Sequence, residues 1–251
     1  MNFKHFFIIG AQRSGTTYLS KILDEHPQIL MAKPLIPEPK YFLNTDSNSL
    51  DYAKYIKNFF PMKKRNIILG EKTNAYFENS NIFYKIKKII NDFKIIIILR
   101  NPIDRAISHY NFSRKSLVEN LDFQTAINEE KNRSQKWQDL INKKIISNPF
   151  SYIERGKYIN YILKWEKLIG KENIILIVSE DFFGNINSFK KLYRQLGVNE
   201  DFVPKNFKLK INKSNYDQNI ISPKLIMRLR NEFKNSNYLL KKKYKLEISK
   251  W

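Results

Sequence analysis

The segment Gly10-Ala11-Gln12-Arg13-Ser14-Gly15-Thr16-Thr17 follows directly on the apolar run Phe6-Phe7-Ile8-Ile9. This order predicts a strand, a glycine-bounded loop and then a helix. Such a loop aims backbone N–H groups and a helix N-terminus at an anion, usually a phosphate. The glycines have the G-x-x-x-x-G spacing of a phosphate-binding loop. The residue after the second glycine is Thr16, where the nucleoside-triphosphate version has lysine. The cation sits inside the loop instead, at Arg13. Thr16 and Thr17 bring hydroxyl and N–H donors, and Arg13 brings a fork that fits two oxygens of one group. Without the loop lysine, the usual clamp on a transferring γ-phosphate is missing. An ordinary strand-to-helix turn would also account for the glycines.

The rest of the chain alternates strands and helices. The first strand is expected at 4–9, and the helix after the loop carries Leu19, Ile22 and Leu23 and stops at His26-Pro27. Pro34, Pro37 and Pro39 make 33–39 an extended loop. A helix is expected around 49–59. Ile67-Ile68-Leu69 reads as a short buried strand leading into Gly70-Glu71-Lys72-Thr73, and a helix follows over about 79–90. Ile95 to Leu99 is apolar throughout, as a parallel strand covered on both faces should be. Arg100-Asn101-Pro102 ends it and opens a helix with Ile103, Ala106, Ile107 and Tyr110 on one face. Residues 119–150 are polar and in part helical. A helix over 158–169 ends at Gly170, Ile174 to Val178 is a further strand, and a helix through Leu196 ends at Gly197. Ser222-Pro223 starts another helix. This pattern predicts an α/β fold: one domain over 1–251, with a mostly parallel central sheet flanked by helices and a phosphate-binding loop after the first strand. Ligands in such sheets bind beyond the carboxyl ends of the strands. The 10–17 loop, Glu71-Lys72-Thr73 and Arg100-Asn101-Pro102 are all expected at that edge. Arg100 and Ser108, eight residues on, could reach one anion at the start of that helix. Alternatively, Arg100 pairs with Asp104 and Ser108 is a solvated serine.

Composition narrows the chemistry. The 251 residues contain no cysteine, which excludes disulfides and thiolate metal sites, and the three histidines (His5, His26, His109) have no metal-ligand spacing. Ile174–Val178 runs into Ser179-Glu180-Asp181, a poor magnesium holder, so no metal is expected. No apolar run reaches the roughly 18 residues needed to span a membrane. The first strand leaves no room for a signal peptide, so the expectation is a soluble cytoplasmic protein. The net charge of +21 calls for an anionic partner, unless it reflects only a genome rich in Lys, Asn and Ile. Runs such as Lys63-Lys64-Arg65, Lys87-Lys88 and Lys241-Lys242-Lys243 are ordinarily solvated faces, though they could still steer an acidic substrate.

Five segments in order resemble a known family. They are 7–17, Pro37-Glu38-Pro39-Lys40-Tyr41-Phe42, Glu71-Lys72-Thr73-Asn74-Ala75-Tyr76-Phe77, 99–110 (Leu-Arg-Asn-Pro-Ile-Asp-Arg-Ala-Ile-Ser-His-Tyr) and Glu154-Arg155-Gly156-Lys157-Tyr158. Together they resemble the sulfotransferases that use 3′-phosphoadenosine 5′-phosphosulfate (PAPS), nearest to the heparan sulfate N- and 3-O-sulfotransferases and their bacterial relatives. The resemblance covers about 6–216.

The resemblance implies transfer of a sulfonate group from PAPS to a hydroxyl or amine of an acceptor, a glycan or glycoconjugate, with 3′-phosphoadenosine 5′-phosphate (PAP) as product; the positive charge would suit an acidic acceptor. It assigns the 5′-phosphosulfate to Arg13, Ser14, Gly15, Thr16 and Thr17, and the 3′-phosphate to Arg100 and Ser108. Lys213, in Ile211-Asn212-Lys213-Ser214, would close over the nucleotide. Glu38 would be the general base, and Lys72 would lie by the acceptor. Without the resemblance, Glu38 reads as a solvated loop carboxylate and Lys72 as half of a surface Glu71–Lys72 pair. Two departures from the family pattern matter. Arg13 stands where the family often has lysine; the leaving phosphate needs charge stabilisation more than a proton, and arginine supplies that. Pro37 stands where lysine precedes the glutamate, which alters acceptor contacts. Two other functions remain in view. A nucleoside-triphosphate-dependent kinase would share the first loop, and a non-catalytic polyanion-binding module would explain the charge alone. The reading adopted involves no nucleic acid, and the oligomeric state is left open.

Overall fold

The computed structural model describes residues 4–60, 68–140, 147–207, 221–249 and 251. In chain order the elements are β1 (His5–Gly10), α1 (Thr16–Asp24), β2 (Ile29–Met31), α2 (Tyr41–Asn44), α3 (Tyr52–Phe59), β3 (Ile68–Lys72), α4 (Ile82–Ile89), β4 (Phe93–Leu99), α5 (Pro102–Lys115), α6 (Phe123–Asn128) and α7 (Glu130–Leu140). They continue as α8 (Ile159–Ile169), β5 (Ile174–Val178), α9 (Ser179–Phe182), α10 (Ile186–Leu196) and α11 (Pro223–Tyr244). The chain forms two compact units. One gathers Met1–Leu99 and Lys164–Ile211, and the other Arg100–Leu163 and Asn212–Trp251. No helix of the described residues is long and apolar enough to cross a membrane.

The first unit holds the sheet, five strands in the order β2-β3-β1-β4-β5. Every pairing is parallel. All residues of β1 and β4 are buried, which is why Phe6–Ile9 and Ile95–Leu99 read as unbroken apolar runs. On one face, Phe6, Ile8, Ile96 and Ile98 pack with Leu19 and Ile22 of α1 and Phe189, Leu192 and Leu196 of α10. On the other, Phe7 meets Phe42, Tyr76 and Phe93 edge-on, with ring centroids 5.3–6.4 Å apart. The chain leaves β1 toward β2 on one side and leaves β4 toward β5 on the other. Strand order therefore reverses between β1 and β4, the place where open α/β sheets bind ligands beyond their carboxyl ends.

The α/β expectation holds, with two differences that bear on function. β2 has only three residues, too few to show a period. It is held by its pairing with β3 and by Ala32 N–H donating to Gly70 O at 2.7 Å. β3 also runs on through Lys72, so Glu71 and Lys72 lie within the strand instead of past its end. Backbone pairing with β1, Phe7 to Glu71 and Ile8 to Lys72, extends the strand through these charged residues. Gly70 allows the close packing there, since a Cβ would lie 2.3 Å from the Phe6 ring and 2.5 Å from Met31 Sδ.

At the start of β1, His5 is 4% exposed and its Nε2 lies 3.0 Å from the Tyr52 hydroxyl. Burial, and secondarily the charge of Lys4, lower its pKa from 6.5 to about 4. Unfolded, the same imidazole protonates near 6.5. Its contribution is therefore complete above that value and is lost as pH falls toward 4, by up to about 3 kcal/mol. Urea melts of wild type and His5→Gln should show this. The stability difference between them at pH 7 should shift by about that amount in favour of the variant at pH 4.5.

The second unit is helical. Asn101 caps α5, its Oδ1 accepting from Ile103 N–H at 3.0 Å, and Pro102 takes the first helical position, where no N–H is needed. Ser222 Oγ caps α11 in the same way, accepting from Leu225 N–H at 3.2 Å. Ala106 and Ile107 of α5, Phe123 and Ile127 of α6, and Leu229 and Phe233 of α11 share one core.

Candidate active site

The loop after β1 has the geometry expected of an anion cradle. Gly15 is the N-cap of α1 with φ 99°, a left-handed backbone that glycine adopts without strain, and Arg13 is left-handed too, at φ 71°. The first helical bond is Leu19 N–H to Gly15 O at 3.0 Å. The N–H groups of that first turn have no acceptor within the helix, and no side chain caps it. Ser14 is 1% exposed, and its Oγ is buried without a hydrogen-bond partner among the described residues. A buried hydroxyl left unpaired costs about 1–3 kcal/mol. An oxygen-rich anion in the cradle would satisfy it, so the loop suits a phosphosulfate. Arg13 is exposed and Thr16 is buried.

Three of the candidates are brought into contact in this unit. Lys72 is 3% exposed, and its Nζ donates to Thr17 Oγ1 at 3.3 Å. The same Nζ lies 3.2 Å from Glu38 Oε1, an ion pair largely shielded from water. Glu38 also accepts from Asn74, from its backbone N–H at 3.1 Å and from its Nδ2 at 2.6 Å. The loop after β1, the end of β3 and the proline-rich segment are thus joined by one line of polar contacts.

Glu71 takes no part in that line. Neighbouring strand residues point to opposite faces, which rules out a Glu71–Lys72 surface pair. Glu71 is 1% exposed and accepts from the Tyr55 hydroxyl at 2.8 Å and from Thr73 Oγ1 at 2.7 Å. Burial pushes its carboxyl up, against the hydrogen bonds of Thr73, Tyr76 and Tyr55, which pull it down. Thr73 Oγ1 in turn accepts from Lys40 N–H at 3.3 Å, two residues after Glu38. Asn74, Thr73, Glu71 and Tyr55 support the site, and the spacing of the sequence gives no sign of it. Asn74 meets Glu38 across 36 residues, Thr73 meets Lys40 across 33 and Tyr55 meets Glu71 across 16, contacts that exist only once β3 pairs with β1.

In the second unit, Arg100 precedes the Asn101 cap, and its carbonyl accepts from the Tyr158 hydroxyl at 2.8 Å. Ser108 lies on α5 and is 7% exposed. Arg155, from the fifth sequence segment, is fully buried. Its Nη2 donates to Asn148 O at 2.8 Å, and its Nη1 lies 3.2 Å from His109 Nε2 on α5. Arg155 therefore braces the helix that carries Ser108. Lys213 lies outside the described residues.

Residues 3–245 match the family of the sulfotransferase domain. A stretch of 117 residues, 46% of the chain, is 34% identical to the membrane-associated sulfotransferase kil1 of Dictyostelium discoideum. Over 103 residues, 41% of the chain, it is 32% identical to heparan sulfate glucosamine 3-O-sulfotransferase 5 of Mus musculus. The matched segments span 24% and 29% of the length of these two relatives. Among solved structures, a sulfotransferase from Alicyclobacillus acidocaldarius superposes with a TM-score of 0.76, covering 98% of this chain and 97% of its own at 24% identity, a likeness of fold. With the family match running over nearly its whole length, this chain belongs to the sulfotransferase domain family.

Proposed function

We propose that the chain transfers a sulfonate group from PAPS to a hydroxyl or amine of a glycan or glycoconjugate, with residues 1–251 acting as one sulfotransferase domain. The observation that carries this reading is the contact line Thr17–Lys72–Glu38. It ties the loop suited to a phosphosulfate to a carboxylate suited to take a proton from an acceptor.

In this reading Arg13, Ser14 and the N–H groups at Gly15, Thr16 and Thr17 hold the 5′-phosphosulfate. Arg100 and Ser108 hold the 3′-phosphate, by a guanidinium fork and a hydroxyl, and Lys213 covers the nucleotide. Glu38 accepts the proton of the attacking hydroxyl or amine, as an oxygen–sulfur or nitrogen–sulfur bond forms and the bond from sulfur to the bridging oxygen breaks. Arg13 stabilises the charge that collects on the departing phosphate. Lys72 has three N–H donors, of which Thr17 and Glu38 take two, and the third would serve a sulfonate oxygen.

The mouse relative named above is a heparan sulfate sulfotransferase. A net charge of +21 suits an acceptor that is likewise a polyanion. Labelled sulfate transfer from PAPS should therefore be tested on a glycan panel that pairs acidic with neutral chains. Label on the acidic glycans, undiminished by a metal chelator, is expected. Label on neutral chains alone would contradict the acceptor class. Phosphate transfer from ATP with none from PAPS would replace the reading with a kinase.

A further inference from the structure

We infer that Asn74 is the positioning residue for the Glu38 carboxyl group, an inference that rests on Glu38 as the proton acceptor. Glu38 lies in a segment with no helix or strand, between Pro37 and Pro39. Such a segment cannot by itself hold a carboxyl group to the few tenths of an ångström that proton transfer needs. Asn74 supplies the missing fixity. It opens the short 3-10 turn Asn74–Tyr76, which follows β3 with Thr73 between them. Its backbone N–H donates to Glu38 Oε2 at 3.1 Å, and its Nδ2 donates to Oε1 at 2.6 Å. One residue thus grips both carboxyl oxygens from the end of a buried strand. Lys72 Nζ adds a second contact to Oε1 at 3.2 Å. Two contacts fall on Oε1 and one on Oε2, so the geometry points to Oε2 as the oxygen that receives the acceptor's proton.

The side-chain amide shows that this grip is not there for stability alone. With Nδ2 aimed at Glu38, Asn74 Oδ1 is buried and has no hydrogen-bond partner among the described residues. An orphaned carbonyl oxygen is unfavourable for folding. Turning the amide over would set its oxygen against the carboxylate and lose the grip. The native orientation favours the placement of Glu38 over the pairing of Oδ1.

The test is Asn74→Ala, which keeps the backbone donor and removes both Nδ2 and the orphaned Oδ1. Turnover is read as PAP released from PAPS, to the best acceptor of the glycan panel or to water. The turnover number should fall about 10-fold through misplacement of the carboxyl group. The KM for PAPS should stay within about twofold and the melting temperature should be unchanged or higher. In the double variant Glu38→Gln/Asn74→Ala, turnover should fall no further than in Glu38→Gln, because Asn74 acts only through Glu38. Wild-type turnover in Asn74→Ala would overturn the inference. So would a loss that tracks a lowered melting temperature, or losses that multiply in the double variant. If Glu38→Gln itself keeps wild-type turnover, or wild type releases no PAP, the reading of Glu38 fails and this inference with it. If Glu38→Gln collapses while Asn74→Ala does not, only the inference fails.

Discussion

Glu38→Gln should lower the turnover number for sulfonate transfer by about 10³-fold while leaving the affinity for PAP within about twofold. The amide keeps the shape of the side chain but cannot take a proton at neutral pH. It also cannot satisfy its neighbours. Its oxygen can still accept from Asn74 N–H, but its NH₂ then faces Asn74 Nδ2 and Lys72 Nζ, which are both donors. Lys72, 3% exposed, is left without that ion partner. Breaking a shielded pair from one side destabilises by several kcal/mol, here by up to about 3 kcal/mol because Glu38 is partly accessible. Loss of fold must therefore be separated from loss of chemistry. PAP affinity measured on the same sample does this, and so does Glu38→Gln/Lys72→Met, which removes the stranded ammonium. That double variant should regain stability and remain inactive. Recovery of turnover along with stability would mean that Glu38 supports the fold and takes no proton.

What could be read from the chain ahead of its structure follows from how local each feature is. The loop at 10–17 is set by backbone within eight residues. Its glycine spacing and the apolar run before it were enough to place it, and Gly15 takes the left-handed turn such a loop needs. β4 was legible because burial on both faces leaves Ile95 to Leu99 wholly apolar. The end of β3 was not, since Glu71 and Lys72 look like a surface pair until strand pairing buries them on opposite faces. Glu38 presented the hardest case. Nothing in a proline-rich segment marks one carboxylate as special, and resemblance to a family was the only pointer to it. Its partners Lys72 and Asn74 lie 34 and 36 residues away in the chain. They reach it because β3 lies beside β1, a consequence of the whole sheet and of no single motif.

Arg100→Ala should weaken PAP binding by about 100-fold, the scale expected when one partner of a desolvated charged hydrogen bond is truncated. In the proposed function Arg100 holds a 3′-phosphate, a dianion that a guanidinium fork matches with two parallel bonds. Arg100→Lys keeps the charge and loses the fork, so it should fall between the two, at about 10-fold. The fold should tolerate the change, because the Tyr158 hydroxyl bonds to the backbone carbonyl of Arg100, which remains, and Asn101 still caps α5. AMP, which has no 3′-phosphate, should bind wild type and Arg100→Ala alike.

Titration calorimetry of PAP and AMP against both proteins therefore tests most directly whether this chain is built around a 3′-phosphoadenosine phosphosulfate. Wild type should bind PAP about 100-fold more tightly than AMP, and Arg100→Ala should erase the difference. Equal affinity of wild type for the two nucleotides, or a preference for PAP that survives in Arg100→Ala, would contradict it.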